Sequence, residues 1–298
     1  MRPWAPLLPA VLLLLGGCAQ PAQGGGLKVG GPFGARPTVV FPDGAPATGL
    51  QIDELTSGDG TRLGRDSVAV VQFTAHVWDG ADNRVVDSTF DRGAPAALRL
   101  GSLPEGLDTA LRGRRAGSRV VVALPPGDGF GPNPPQGVRP GDELLYVVDI
   151  LAAYGKGAAA GRARGGTLDG VTVSPGAPPR VVIPPGPAPA RFAAKVVSRG
   201  DGPKTRAGQL LVTQHVTLLW RGGRVVEGSW SDGRPRAVRL GDGSVVAGWE
   251  RALTGVPVGS RVVFVVPPAL GYGRGGVPAL GIRGNDTLVF VVDVLGAH

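Results

Sequence analysis

Pro267-Pro268-Ala269-Leu270-Gly271-Tyr272-Gly273 is the stretch that decides the fold of this chain. A weaker copy, Pro125-Pro126-Gly127-Asp128-Gly129-Phe130-Gly131, lies 142 residues earlier. Each copy follows a valine-rich segment and precedes a glycine- and proline-rich loop, after which a second apolar segment ends in Val-Val-Asp. An aromatic residue held on such a loop is expected to line a cleft. The sequence is therefore a tandem repeat with a candidate cleft in each copy.

Further matches extend the repeat over most of the 298 residues. They pair 37–44 with 179–186, 57–60 with 199–202, 70–73 with 212–215, 85–87 with 225–227, and 98–101 with 238–241. The length differences between the copies lie in turns, which predicts two domains of one shared fold, 37–154 and 179–298. Residues 155–178 are rich in Gly, Ala, Arg and Pro, which is typical of a linker.

The composition favours short strands over long helices. Glycine (51 residues) and proline (29 residues) exceed average usage and separate valine-rich runs. In the final run, Leu288 and Phe290 alternate with Val289 and Val291, which predicts a central strand with two apolar faces. Residues 249–254 are predicted to form one short helix.

Charge and motifs exclude several classes of function. The formal charge is +8, but the arginines are scattered and no basic stripe with interleaved aromatics occurs, so we expect no nucleic-acid partner. Three histidines and one cysteine supply no metal-ligand pattern, and we expect no metal and no cofactor. Gly271, Gly273 and Gly276 match a dinucleotide-binding pattern, but the loop continues into Val277-Pro278 instead of a helix.

The N-terminus has the pattern of an export signal. Residues 1–17 carry Arg2, a short apolar run and then small residues. Leu15-Gly16-Gly17-Cys18 resembles the bacterial lipobox, which implies cleavage before Cys18 and its lipidation. The alternative is that Cys18 is an incidental residue of a discarded signal. With lipidation, residues 18–36 are a flexible tether, and the protein is anchored to the extracytoplasmic face of a bacterial membrane.

Apolar and aromatic residues of the second copy lie on separate predicted elements and could converge on one pocket. For each of them a place in the core is the alternative, except for Tyr272, which is flanked by glycines on a loop. These residues are Val245, Val246, Trp249, Tyr272, Ile282 and Phe290.

The second copy resembles the FKBP-type peptidyl-prolyl cis-trans isomerases. The matching segments cover most of that copy, and they are 200–202, 225–227, 240–241, 245–250, 258–261, 267–273 and 285–290. The resemblance implies an α+β fold in which a curved antiparallel sheet wraps around one short helix, twice in this chain. In that family no cofactor takes part.

The resemblance also implies roles for individual residues. Trp249 forms the floor of the proline pocket, Tyr272 donates a hydrogen bond to the ligand, and Phe290 forms a wall. The Val246 amide meets a substrate carbonyl, and Val245 and Ile282 complete the apolar lining. The rim of the pocket departs from the family. His215 stands in place of the family's Tyr, Val226-Glu227 in place of its Phe-Asp pair, and Asp232 in place of its usual Arg.

The first copy departs further. It keeps Asp87 and Arg92 but has Leu107 in place of the floor Trp and Phe130 in place of the ligand-binding Tyr. Phe73 and Tyr146 occupy the two remaining aromatic positions. Because both the indole and the hydroxyl are lost, we expect the first domain to be catalytically silent.

The resulting expectation is an exported, membrane-anchored isomerase of X-Pro bonds that works through its second domain. The barrier to rotation is about 18–20 kcal/mol. A dry apolar pocket lowers it by removing water from the planar amide. Its partners would be proline-containing unfolded or exported polypeptides and macrolide inhibitors. The alternatives are a silent FKBP-like binding or chaperone lipoprotein and a purely structural surface lipoprotein.

Overall fold

The computed structural model of the chain describes residues 26–44, 48–80, 83–129, 137–161 and 163–298. The expected signal segment, Cys18 and the start of the expected tether lie outside these residues, as does Phe130. Two antiparallel six-stranded sheets, each with one short α-helix, dominate the described part. Within that part no helix combines the length and apolar character needed to cross a membrane.

The first domain is preceded by a hairpin of β1 (Lys28–Gly30) and β2 (Thr38–Val40). Its elements are β3 (Gln51–Thr56), β4 (Val68–Trp78), β5 (Val85–Ser88), β6 (Ala96–Arg99), α1 (Glu105–Leu111), β7 (Arg119–Leu124) and β8 (Glu143–Tyr154). The sheet has the order β3-β7-β8-β4-β5, and β6 pairs with the other end of β4.

The second domain repeats this plan. Its leading strands are β9 (Gly166–Leu168), β10 (Val171–Val173) and β11 (Val181–Val182). The elements that follow are β12 (Ala193–Ser198), β13 (Leu210–Leu219), β14 (Val225–Gly228), β15 (Arg236–Arg239), α2 (Ala247–Leu253), β16 (Arg261–Val266) and β17 (Leu288–Ala297). The sheet has the order β12-β16-β17-β13-β14, and β15 pairs with β13. The predicted central position of the last strand is thus confirmed.

Both faces of each sheet are covered. In the second domain Leu288 and Phe290 pack towards α2, whereas Val289 and Val291 pack on the opposite face against β10. Gly248 lets α2 approach the sheet closely, because a Cβ there would lie 2.6 Å from the methyl groups of Val266. Packing of this kind stabilises a helix of seven residues that is too short to be stable alone.

The leading hairpins correct two expectations of the sequence analysis. β1 lies within the expected tether 18–36, and β9 and β10 lie within the expected linker 155–178. Val171 and Val173 are fully buried against the outer face of the second sheet, and Val29 is partly buried against the equivalent face of the first. Burial of a valine is worth about 1.5–3 kcal/mol, which holds these glycine-rich segments on the domains.

A buried Arg–Asp pair ties each leading segment to its sheet. Arg261 binds both carboxylate oxygens of Asp293 at 2.6 and 2.9 Å and donates to the carbonyls of Ser174 and Gly176. In the first domain Arg119 and Asp149 form the same pair, and Arg119 donates to the carbonyls of Gly31, Pro32 and Ala35. A buried charge pair needs such additional hydrogen bonds, so each domain includes its leading segment.

The two domains contact each other through equivalent surfaces. Val70 of β4 and Val212 of β13 belong to one apolar cluster, and each is flanked in its own sheet by an alanine of the neighbouring strand. At the edge of this cluster the hydroxyl of Tyr154 lies 2.8 Å from Nε2 of His298. A Cβ at Gly296 would lie 1.8 Å from that hydroxyl, so only glycine allows this contact.

Candidate functional site

A cavity of about 480 Å³ opens in the second domain between α2, β17 and the loop that carries Tyr272. Seven of the residues predicted for the site line it, together with three that the sequence analysis did not name. The predicted residues are His215, Glu227, Val245, Val246, Trp249, Tyr272 and Phe290, and the additional ones are Val238, Gly243 and Ser244.

Trp249 forms the floor of this cavity. Its side chain is 5% exposed and meets His215, Phe264 and Phe290 edge-on, with ring centroids 5.2, 6.1 and 5.8 Å away. Phe264 and Phe290 stack on each other at 5.0 Å. Aromatic contacts of this geometry add about 0.5–1.5 kcal/mol each beyond burial, so the indole is held in a fixed orientation. Phe264 was not predicted, although its place in a valine-rich strand was a usable signal.

Tyr272 stands at the mouth of the cavity. It is 37% exposed and lies between the short 3₁₀ turns Pro268–Leu270 and Gly273–Gly275. Burial, and in second place the negative charge of Glu227, raise the pKa of Tyr272, so its hydroxyl is a proton donor over the physiological range. The phenol can therefore donate a hydrogen bond to a ligand that covers the indole.

Val246 supplies a free backbone donor. It is the N-cap residue of α2 with φ −63°, and among the described residues its N–H has no hydrogen-bond acceptor. The residue also lines the cavity. A carbonyl group of a bound peptide could satisfy this N–H, as the first N–H groups of a helix have no partner within the helix.

His215 and Glu227 form the polar part of the lining. Nε2 of His215 lies 3.3 Å from a carboxylate oxygen of Glu227, and the His215 backbone N–H donates to Ser229. The hydrogen bond from His215 lowers the pKa of Glu227, against the opposing effect of burial, and the charges of His215 and Arg236 lower it further. The carboxylate is half exposed and remains available at the rim.

Two predicted site residues do not line the cavity. Ile282 is 3% exposed and lies in the core, where its backbone closes the loop through hydrogen bonds to Val277. Gly276 permits this closure, since a Cβ there would lie 2.3 Å from the Ile282 carbonyl oxygen. Val226 is partly buried and packs against the same core. Both residues therefore support the site from below instead of lining it.

The equivalent region of the first domain is arranged differently. Leu107 is buried in the core, and Phe73 packs against Tyr146 with ring centroids 6.0 Å apart. The guanidinium of Arg92 lies 5.5 Å from the centre of the Phe73 ring and pairs with Asp87. Burial, followed by the charge of Asp87, raises the pKa of Tyr146 well above its ordinary value.

The first domain also lacks the backbone donor. α1 has Pro104 as its N-cap residue, at the place that Val246 occupies before α2. Proline has no N–H, so this helix start cannot donate to a carbonyl of a bound peptide. The repeat spacing of 142 residues pairs Pro104 with Val246, so this difference is visible in the sequence.

Two larger depressions of the second domain lack this combination of groups. One, of about 860 Å³, lies around Arg164, Ser198 and Arg199, and none of the described residues that line it is aromatic. The other, of about 610 Å³, lies around Trp220, but that indole donates to the Gly186 carbonyl. In the described part of the chain no three His, Cys, Asp or Glu side chains are placed to hold a metal ion.

Comparison with known proteins identifies the family. The profile of the FKBP-type peptidyl-prolyl cis-trans isomerases matches residues 60–151 and 202–295. An FK506-binding protein of Streptomyces anulatus is 36% identical over 117 residues, which are 39% of this chain and 94% of that protein. The isomerase FkpA of Escherichia coli is 38% identical over 97 residues, or 33% of each chain. The crystal structure of FkpA covers 36% of this chain and 47% of its own, with 35% identity and a TM-score of 0.33.

The two matched regions together include more than half of the chain, and each coincides with one of the six-stranded domains. The fold is a curved antiparallel sheet around one short helix, present twice. The chain belongs to the FKBP-type peptidyl-prolyl cis-trans isomerase family, as a member with two FKBP domains.

Proposed function

We propose that the second domain catalyses cis-trans isomerisation of X-Pro bonds and that the first domain does not. The observation that carries this proposal is the cavity of the second domain. It combines a buried indole floor with a phenol hydroxyl and the unpaired N–H of Val246 at its edge. These are the groups that a prolyl ring and its neighbouring carbonyl require.

The proposed mechanism needs no nucleophile. Rotation about the X-Pro bond breaks the amide resonance that makes the carbonyl oxygen polar. The aromatic walls exclude water from the planar amide and thereby disfavour the ground state relative to the twisted state. Tyr272 and the Val246 N–H then hold the peptide on either side of the rotating bond. Each tenfold gain in rate requires about 1.4 kcal/mol.

Three features support a silent first domain. Pro104 removes the backbone donor, Leu107 gives no aromatic floor, and the ion pair of Arg92 with Asp87 lies over Phe73. Binding that is equally strong for the substrate and the transition state does not accelerate a reaction. The first domain could therefore bind polypeptides without catalysing their isomerisation.

The test is a protease-coupled assay with proline-containing peptides on the full chain. We expect Trp249→Leu, which copies the floor of the first domain, to reduce kcat/KM at least tenfold. The matched control is Leu107→Met, a substitution that conserves volume at the equivalent position, and it should leave the rate within about twofold. Equal rates for the native protein and Trp249→Leu, or loss of activity in Leu107→Met, would contradict the assignment to the second domain.

The alternative is that both domains bind but do not turn over. The residues that favour it are His215, Glu227 and Asp232, which replace the usual rim of the family. In the structure Asp232 binds Arg236 at 2.9 Å and is not among the residues that line the cavity. Binding of a proline peptide, seen as a change in fluorescence that Trp249→Leu abolishes, without any rate above the spontaneous one would establish this alternative.

We further propose that the protein acts outside the cytoplasm, held on a membrane by lipidated Cys18, on exported polypeptides. The support is the sequence of residues 1–18 alone. The full chain should partition into the detergent phase of a cloud-point extraction, and Cys18→Ser should move it to the aqueous phase. FK506-type macrolides, which the names of several relatives mention, should compete with peptides for the cavity.

A further inference from the structure

The cavity of the second domain carries one carboxylate in an otherwise basic protein. The chain has a formal charge of +8, yet among the described residues Glu227 is the only acidic one that lines the cavity, and none of the described lysines or arginines lines it. The lining of the cavity therefore carries a carboxylate that no lysine or arginine of the same lining offsets.

No arginine neutralises this carboxylate directly. Arg236 contributes to the low pKa of Glu227, but its guanidinium is bonded to Asp232 at 2.9 Å and to the Arg234 carbonyl at 2.8 Å. Glu227 itself is bonded only to His215 among the described residues. Its side chain is 48% exposed, so a ligand at the rim can reach it.

The first domain shows the opposite arrangement at the same positions. Asp87 corresponds to Glu227, and Arg92 corresponds to Asp232 in the repeat. Arg92 pairs with Asp87, so the acid of the first domain already has a cation. In the second domain an acid replaces this arginine, so Glu227 lacks the arginine partner that Asp87 has and is bonded to His215 instead.

The negative charge acts across the cavity mouth. It is one of the two causes that raise the pKa of Tyr272, which stands on a different loop. Trp249 and Glu227 line the same cavity, and the residue next to a prolyl ring on the indole would be only about 3.8 Å further along the peptide, measured between Cα atoms. That neighbour is then exposed to the field of Glu227.

We infer that the second domain selects X-Pro segments that carry a lysine or arginine next to the proline and disfavours those with an acidic residue there. The inference rests on the proposed isomerase function. At a water-facing mouth, two unit charges about 6 Å apart change an equilibrium by roughly three- to tenfold. The preference for a lysine over a glutamate peptide is the product of an attraction and a repulsion, so we expect a ratio on the order of ten at low salt.

The experiment compares kcat/KM of the full chain for three peptides of sequence Ala-Xaa-Pro-Phe, in which Xaa is Lys, Gln or Glu. The native protein should give a Lys-to-Glu ratio of about ten in about 0.02 M salt, and the ratio should shrink in about 1 M salt. Glu227→Gln should bring the ratio close to one. Asp232→Arg, which restores the arrangement of the first domain, should reduce the ratio as well.

Asp201→Asn is the matched control. Asp201 is an exposed acid of the same domain that lines a different depression, and its neutralisation should leave the ratio unchanged. A native ratio near one, or a ratio that persists in Glu227→Gln, would overturn the inference while the isomerase function stands. Absence of turnover with all three peptides would overturn the proposed function itself, and the inference with it.

Discussion

The backbone N–H of Val246 can be removed without disturbing the fold. Val246 has φ −63°, which is the angle that proline imposes, and the first domain already has Pro104 at the corresponding helix start. Since the Val246 N–H has no acceptor among the described residues, Val246→Pro breaks no internal hydrogen bond. The substitution therefore deletes one donor of the site and little else.

The expected decrease in kcat/KM follows from the free energy that one hydrogen bond contributes. A neutral hydrogen bond contributes about 0.5–1.5 kcal/mol. At about 1.36 kcal/mol per factor of ten, kcat/KM should fall roughly 2- to 13-fold. The free energy of unfolding should change by less than about 1 kcal/mol, because proline at a compatible position is neutral to stabilising.

Val246→Ala provides the control, because it trims the side chain but keeps the N–H. The assay is protease-coupled isomerisation with urea unfolding of the same samples. Val246→Pro should be slower than Val246→Ala at equal stability. Equal kcat/KM for the two variants would show that the N–H does not contact the substrate and would refute this part of the mechanism.

Substitutions at Gly296, Glu143 and Tyr272 have expected outcomes that can be measured. Gly296→Leu should force the Tyr154 hydroxyl away and separate the domains, so small-angle scattering should give a larger radius of gyration; an unchanged radius would mean that the contact does not form in solution. Burial raises the pKa of Glu143 to about 6 from 4.5, so its ionisation destabilises the folded protein as pH rises through that interval. Glu143→Gln should therefore stabilise by about 1 kcal/mol near pH 7.5, after allowance for solvent screening, and not near pH 4, and equal effects at both pH values would refute it. Tyr272→Phe should lower kcat/KM roughly 2- to 13-fold, whereas the same change at Tyr146 should not.

The fold of each domain could be predicted from the sequence. The alternation of Leu288 and Phe290 with Val289 and Val291 predicted a central two-faced strand, and β17 lies third in its sheet. The helix was predicted at 249–254 and is observed at Ala247–Leu253. Such patterns are readable because the periodicity extends over several residues.

The strands that precede each domain could not be predicted from such a periodic pattern. β1 and β10 have three residues each, which is too short for a periodic signal among glycines and prolines. Their attachment to Arg119 and Arg261 uses backbone carbonyl groups, which every residue possesses. Composition alone therefore predicted a tether and a linker where the structure has hairpins.

Within the candidate site, the residues with distinctive side chains lie around the cavity, whereas the place of the other residues depends on the path of the backbone. Trp249, Tyr272 and Phe290 converge as expected. Ile282 is as apolar as a lining residue would be, but the closure of its loop directs it into the core. Gly243 and Ser244 were not predicted, because the course of the backbone brings them to the cavity and their side-chain chemistry gives no sign of it.

The contact between the domains uses one surface twice, once from each half of the chain, which is how identical subunits meet in a twofold dimer. In such a dimer any substitution appears in both partners at once. When the two halves are fused in one chain, a position can change in one half alone. Tyr154 and His298 are an example, because they occupy equivalent positions of the repeat but are different residues. One domain can then lose a catalytic pocket and still provide the contact surface against which the other domain packs.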